Sequence, residues 1–461
     1  MLKIIEFGRK TAPDIIYLKT LCLIVRMKIL LMGWLFGKMK NFKHIIPFLM
    51  TLLFLATPNI FWAQDSNWPW IPDGENFQIT KNLGDDFSPA ITSNGHLYFV
   101  VWYKRTKSGF DIYGTRVTQN GDILDRDGIP ICTASNDQMF PAVASDGKDF
   151  LVVWQDMRSG KRWDIYGAMV TADDGQVLNT DVFPNGFPIA LGKSADDQMT
   201  PALAFDGENY LVVWQGKAAS KVWNVYFSMV SVSKDGEVAV KGKKAISPIP
   251  KNQVSPAVAF NGENYFVVWQ DFRSGKFWDI YGARVTPFGE ILDHKGFTIS
   301  PTFEGDISGL DKWRPVLSWD GNFFLVIWMV SREEGRWGLE GKRVTGDGEW
   351  VDLLDILIQE DTTNKIFPAL LWDGDHYVLV WEEEPEGESK IFGVSILPQY
   401  KPFIMSEVVE ISSPEMRKSS IPGISKIEDE VLIIWQGKGP EDNWQIYGQC
   451  FKKQSEITSE L

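Results

Sequence analysis

The chain has 461 residues, with 46 basic against 60 acidic side chains and a net charge of −14. A chain this acidic offers a polyanion neither counterion release nor attraction, which argues against nucleic acid and anionic lipid as partners. It holds 44% hydrophobic residues, 20 Trp and only 3 Cys, so there is ample material for a core and no disulfide framework.

Residues 1–63 stand apart: they carry nine Lys or Arg against Glu6 and Asp14 and are otherwise largely apolar. From Met39 a short basic start, an apolar run from Ile45 to Ala56 and a cleavage site after Ala63 predict a secretory signal peptide over 39–63. The residues before Met39 read as a mis-assigned start, with Met27, Met32 and Met39 as alternative initiators. An uncleaved anchor is the other reading, although the apolar run is short against the about 20 residues of a spanning helix. Without residues 1–63 there remain 37 basic and 58 acidic residues, a net of −21. The expectation is a secreted, periplasmic or cell-surface protein, touching membrane only if the N-terminal segment stays uncleaved.

From residue 64 to 451 the chain reads as one domain built of copies, followed by a polar tail over 452–461. The copy from Pro256 to Ser300 shows the unit. A first strand, PAVAF, meets Asn261-Gly262, a dipeptide that suits a tight type I′ hairpin. A second strand, NYFVVW, is apolar on both faces; the polar loop QDFRSGK leads to a third, WDIYGARV, and GFTIS supplies a short fourth. Two anchors count the copies: Pro89, Pro141, Pro201, Pro256, Pro315, Pro368 and Pro422 open the first strands. Trp102, Trp154, Trp214, Trp269, Trp328, Trp381 and Trp435 close the second strands, always thirteen residues later. The spacing between prolines varies from 52 to 60 residues. A fixed hairpin with variable outer loops, repeated near every fifty residues, predicts an all-β, seven-bladed β-propeller of four-stranded antiparallel blades.

The chain opens with a fourth strand that has no blade, Phe77–Thr80, and its last copy, ending WQIYGQCF at 444–451, has none. The expected repair is that the N-terminal strand completes the last blade and closes the ring, which removes an exposed sheet edge. The later copies are degraded: where earlier ones read Asp-Ile-Tyr-Gly, the fifth reads Gly338-Leu339-Glu340-Gly341 and the sixth Lys390-Ile391-Phe392-Gly393. The VVW…DIYG pattern resembles a repeat of secreted bacterial and archaeal β-propeller proteins and is loosely similar to TolB-type propellers. That resemblance implies a fold and no particular activity. Ser145-Asp146-Gly147 lacks the spacing of a sialidase-type Asp box, and Asp173-Asp174-Gly175 falls short of an integrin-type calcium loop.

Candidate chemistry is sparse. Phe110, Trp163, Trp223, Trp278, Trp337 and Trp444 precede the third strands and serve either as packing between blades or as stacking platforms for sugars. Asp156 with Arg158, and Asp271 with Arg273, read as loop-stabilising ion pairs. Three residues before each anchor proline stand Asp86, Gln138, Gln198, Gln253, Lys312, Lys365 and Ser419, polar throughout yet different in each blade. Neighbouring Asp137 and Asp197 add carboxylates, and Arg314 adds positive charge. The loop entering an innermost strand lines the mouth of a propeller's channel, so Asp86, Asp137, Gln138, Asp197, Gln198, Gln253, Lys312 and Lys365 are the candidate ligand-binding residues. No cofactor is called for, though the oxygens there would suit calcium. No histidine spacing fits zinc and no Gly-x-Ser-x-Gly elbow is present. The sequence therefore favours a non-catalytic binding propeller for a protein or glycan; an extracellular carbohydrate-active hydrolase or lyase and an envelope scaffold are the alternatives. Cys132 and Cys450 are left open as a disulfide or two buried thiols.

Overall fold

The computed structural model describes residues 68–454, apart from 82–83, 194–195, 218–220, 234–235, 302–309, 333–334, 353–354, 359–362, 386–387, 399–403, 414 and 440–441. The targeting region and the end of the polar tail lie outside the described residues. Seven antiparallel sheets follow one another, and the first strand of each touches the first strands of its two neighbours, the seventh returning to the first. The fold is a seven-bladed β-propeller.

Each blade begins where the anchor spacing places it. In blade 1 the strands are Asp86–Ser93, Leu97–Arg105, Phe110–Thr118 and Ile129–Cys132. In blade 4 they are Gln253–Phe260, Tyr265–Asp271, Asp279–Val285 and Phe297–Thr298. In every blade the anchor Trp lies opposite the same position of the third strand, as Trp102 opposite Tyr113, Trp269 opposite Tyr281 and Trp435 opposite Tyr447. Blade 3 departs from the Gly-x-x-Ile outer strands with the exposed, lysine-rich Val238–Ala245, and blade 6 splits its outer strand into Ile404–Met405 and Val409–Glu410.

The second strands are buried on both faces because the core lies between blades. Seven apolar clusters each join the second and third strands of one blade to those of the next. Six of the seven anchor tryptophans are fully buried and Trp102 is nearly so. Ring closure occurs through the N-terminal segment: Phe77 and Gln78 pair with Gly448 and Tyr447, as the missing fourth strand required. A second strand, Trp70–Pro72, was not legible in the sequence; it pairs with Phe451–Lys453 and carries the blade 7 sheet into what had read as the tail. Trp68 and Trp70 then fill the seam between blades 6 and 7, while Ile79 joins the seam between blades 7 and 1.

The first hairpin turns work differently from the expected type I′ geometry. Only the glycine has positive φ, +92° at Gly262, while the Asn261 side chain accepts from the backbone N–H groups of Glu263 and Asn264. Asp146, Asp206, Asp320 and Asp373 do the same in their blades. These are Asx turns, in which a short side chain replaces a backbone acceptor. On the same face, Arg116 holds Asp125, Arg284 holds Asp293 and Arg343 holds Asp352, at 2.6 to 3.1 Å, tying each third strand to the loop that follows it. Cys132 and Cys450 are free and buried, and burial pushes both thiols up to about 12.

Candidate functional site

The first strands form the wall of the central channel. At the residue just before each anchor proline their backbone turns left-handed: Ser88, Phe140, Thr200, Ser255, Arg314, Phe367 and Ile421 have φ between 47° and 55°. The ladder slips register at the same place in all seven hairpins. Such a conformation costs about 1–3 kcal/mol for a side chain other than glycine and is held only by its surroundings. The residue after the anchor Trp of the preceding blade supplies the hold. Gln155, Gln215, Gln270 and Gln436 accept from the backbone N–H of Thr200, Ser255, Arg314 and Ser88 at 2.8 to 3.2 Å. In blade 6 that position is Glu382, which accepts from Ile421 at 3.3 Å. The repeated Trp-Gln dipeptide is thus a latch between neighbouring blades.

The polar ring expected at the channel mouth is placed otherwise. Asp86, Gln138, Gln198, Gln253 and Lys365 are at most 1% exposed and Lys312 is 6% exposed, so these side chains point into the blades, not toward solvent. Their task is to satisfy buried polar groups. Asp86 and Gln198 accept from the indole N–H of Trp102 and Trp214 at 3.1 and 2.6 Å. Where a second-strand carboxylate takes that indole, the first-strand residue becomes a donor. Asp271 accepts from Trp269 and Gln253, and Glu383 accepts from Trp381 while pairing with Lys365. Lys312 reaches Asp279 at 3.3 Å, and Gln138 donates to the carbonyl of Ser135. Asp137 and Asp197 accept from the backbone N–H of Phe110 and Trp163, one blade back. The correction has a simple cause: alternate residues of a strand face opposite ways, and three residues before the proline the side chain faces inward.

What the channel mouth does present is the bulge residue and the one before it. The six aromatics that open the third strands are all half-buried, and Phe110, Trp337 and Trp444 stand beside Phe87 or Trp313. Around blades 7, 1 and 2 they gather Phe87, Tyr103, Phe110 and Phe140, with ring centroids 5.3 to 6.1 Å apart and Arg105 over the Phe110 ring. At blades 5 and 6 the repeat breaks. Trp313 is 38% exposed and packs on Trp337 at 5.3 Å. Arg314, the one charged residue among the seven bulge positions, is solvent-exposed and lies over Phe367 at 4.4 Å. Although it is open to solvent, the strands around it displace part of its water, which lowers its pKa, while the Glu382 charge opposes this.

Two carboxyls belong to the same two blades, the half-buried Glu340 and the buried Glu382. Glu340 stands opposite Trp328 where other blades put an aromatic ring, and it pairs with Arg332 at 3.0 Å. In the regular blades the matching arginine pairs with the second strand instead, as Arg158 with Asp156 and Arg273 with Asp271, both at 2.6 Å and stacked over Tyr166 and Tyr281. Those are the ion pairs the sequence predicted. Burial pushes Glu340 and Glu382 above the usual carboxylate range, against the pull of Arg332 on the first. For Glu382 the opposing hydrogen bonds come from Ser389, Ser420 and the N–H of Ile421. Because the folded carboxyl binds its proton more tightly than the unfolded one, its stability contribution is greatest below the ordinary carboxylate range. That contribution is lost as pH rises through the raised folded value. Glu382→Gln restores the latch residue of four other blades and is expected to raise the melting temperature by about 2 °C at pH 7–8. Below pH ~4 the gain should vanish, and thermal unfolding at the two pH values checks it.

No family model matches the chain and no curated protein matches its sequence. Among solved structures, a puromycin-hydrolysing peptidase of Mycobacterium tuberculosis matches at 12% identity and a TM-score of 0.50, covering 82% of this chain and 53% of that one. A protein of unknown function from Dyadobacter fermentans matches at 11% identity and a TM-score of 0.46 over 84% of this chain and 99% of its own. Trypanosoma rangeli sialidase matches at 9% identity and a TM-score of 0.44, over 81% of this chain and 59% of its own. An α-L-arabinofuranosidase of Fusarium graminearum matches at 12% identity and 0.43, over 68% and 93%. The chain spans only about half the peptidase and three fifths of the sialidase, and what the peptidase shares with it is the propeller fold.

Proposed function

We propose that the protein engages a glycan at its channel-mouth face, across blades 5 and 6. The observation that carries the reading is the exposed Trp313, packed on the half-buried Trp337 and beside an exposed arginine, in a sector where the blade repeat is broken. Packing alone calls for the same residue in each blade, and the other blades place Phe87, Met139, Met199, Val254, Ile366 or Ser420 where Trp313 stands. An indole face suits the apolar face of a sugar ring and keeps its N–H for a polar contact. Titration of the mature domain with a panel of oligosaccharides tests the reading. Trp313→Ala is expected to weaken the bound member by about tenfold or more; unchanged affinity contradicts it.

Glycoside hydrolysis is the second reading. The observation that favours it is that Glu340, paired with Arg332, and Glu382, held by Ser389 and Ser420, are each biased by their enclosure toward the protonated form needed in a general acid. Turnover of chromogenic glycosides, abolished by Glu340→Gln or Glu382→Gln, would select hydrolysis over binding. The relation to secreted VVW…DIYG repeat proteins and TolB-type propellers belongs with these proposals, and the blade motif supports it.

A further inference from the structure

Arg314 is out of place in its ring. The other six bulge residues are Ser, Phe, Thr, Ser, Phe and Ile, so Arg314 alone puts a charge at this left-handed, pre-proline position. Among the described residues its guanidinium has no hydrogen-bond or ion-pair partner, and it lies over the Phe367 ring face, a contact that does not use its N–H edges. This is unlike Arg116, Arg158, Arg273, Arg284, Arg332 and Arg343, each fixed to a carboxylate. A guanidinium presents five donors in a rigid plane that fits the two oxygens of a carboxylate.

The bulge also decides where this donor set points. In a regular strand Trp313 and Arg314 would face opposite ways. The register slip between Trp313 and Val316 leaves both exposed, so an aromatic platform and a cationic fork stand side by side. Glu382 is the acidic group whose charge Arg314 feels. Its oxygens are occupied by Ser389, Ser420 and the N–H of Ile421, so the carboxylate turns to the next blade and leaves Arg314 free. The second acid of the sector, Glu340, is occupied by Arg332.

We infer that Arg314 grips a carboxylate of the ligand while Trp313 stacks on its ring, so that the protein selects acidic, uronate-type sugars over their neutral counterparts. This rests on the glycan reading and names its ligand class. The inference runs against the overall negative charge of the chain, which makes it specific: a short acidic saccharide docks through one paired interaction, whereas a long polyanion is repelled by the rest of the surface.

The test is titration of the full mature domain with matched oligosaccharide pairs, each uronate-containing member beside its neutral counterpart, and with sodium acetate as the free carboxylate. The acidic member of a pair is expected to bind about 10-fold to 100-fold more tightly than the neutral one. Arg314→Gln should remove that preference, and Arg314→Lys should keep part of it. Acetate should compete with the acidic member alone, and the preference should shrink with added salt. Since the Arg314 side chain makes no hydrogen bond among the described residues and the backbone N–H that Gln270 holds is kept in any substitution, both variants should melt with wild-type protein, which a thermal scan checks. If Arg314→Gln binds both members of a pair as the wild type does, the carboxylate inference is overturned and the glycan reading stands. If no member of any pair binds, the glycan reading falls and the inference with it.

Discussion

A variant beginning at Lys81 is expected to lose the closed ring. The residues it lacks include two strands that complete blade 7, Trp70–Pro72 and Phe77–Gln78. It also lacks Trp68, Trp70 and Ile79, which are 8%, 1% and 3% exposed and fill the two seams flanking that blade. Truncating a buried Trp costs about 3–5 kcal/mol and a buried Ile about 2–5. Their combined removal costs on the order of 10 kcal/mol, comparable with the whole stability of a domain. Hydrogen bonds across the closure point the same way, since Asn76 joins Gln449 and Ser413, and Thr80 joins Gln445 and the N–H of Ile446. Thermal unfolding and size-exclusion chromatography should show a variant that aggregates through its open edge or melts far below a protein beginning at Gln64. Equal melting temperatures would show that closure lies elsewhere.

The second large effect belongs to Asp271. Its carboxylate is 1% exposed and accepts from the Trp269 indole at 2.8 Å, from Gln253 at 2.8 Å and from Arg273 at 2.6 and 2.9 Å. Asp271→Ala leaves three buried or half-buried donors without an acceptor, one of them charged. Removing one partner of a buried pair costs about 3–5 kcal/mol, because the other stays behind unpaired. Arg273→Ala should cost less, since the carboxylate keeps its indole and amide donors. Denaturant unfolding of the two variants checks the order; a milder effect for Asp271→Ala would mean that the polar layer under the channel mouth is not what fixes the hairpin.

The blades were legible because the ring demands periodicity: one proline and one tryptophan at a fixed offset mark each of seven hairpins, and the orphan Phe77–Thr80 foretold closure. The outer strands were only partly legible, since Val238–Ala245 has no inward face to give it a pattern. Which side chains of the first strands face outward was misread. Counting back three from the proline found the right end of the right strand but the inward-facing side chain, Lys312, when Trp313 and Arg314 next to it face out. No local signal marks the left-handed bulge, which arises from neighbouring blades meeting around the axis. The signal that was available is disagreement among blades, and it does point at Arg314, at Glu340 where a tyrosine is usual and at Glu382 where a glutamine is usual. Asp137 and Asp197 were read as carboxylates at the channel mouth, whereas each accepts from the backbone N–H of a third-strand aromatic one blade back.

The most direct test of a channel-mouth site on blades 5 and 6 is hydrogen–deuterium exchange of the mature domain with and without the oligosaccharide it binds. Protection is expected around Trp313–Pro315, Trp337 and Phe367, with the opposite face, such as the turns at Gly121, Gly175 and Gly289, unchanged. Protection confined to that opposite face, or spread evenly over all seven blades, would contradict the account.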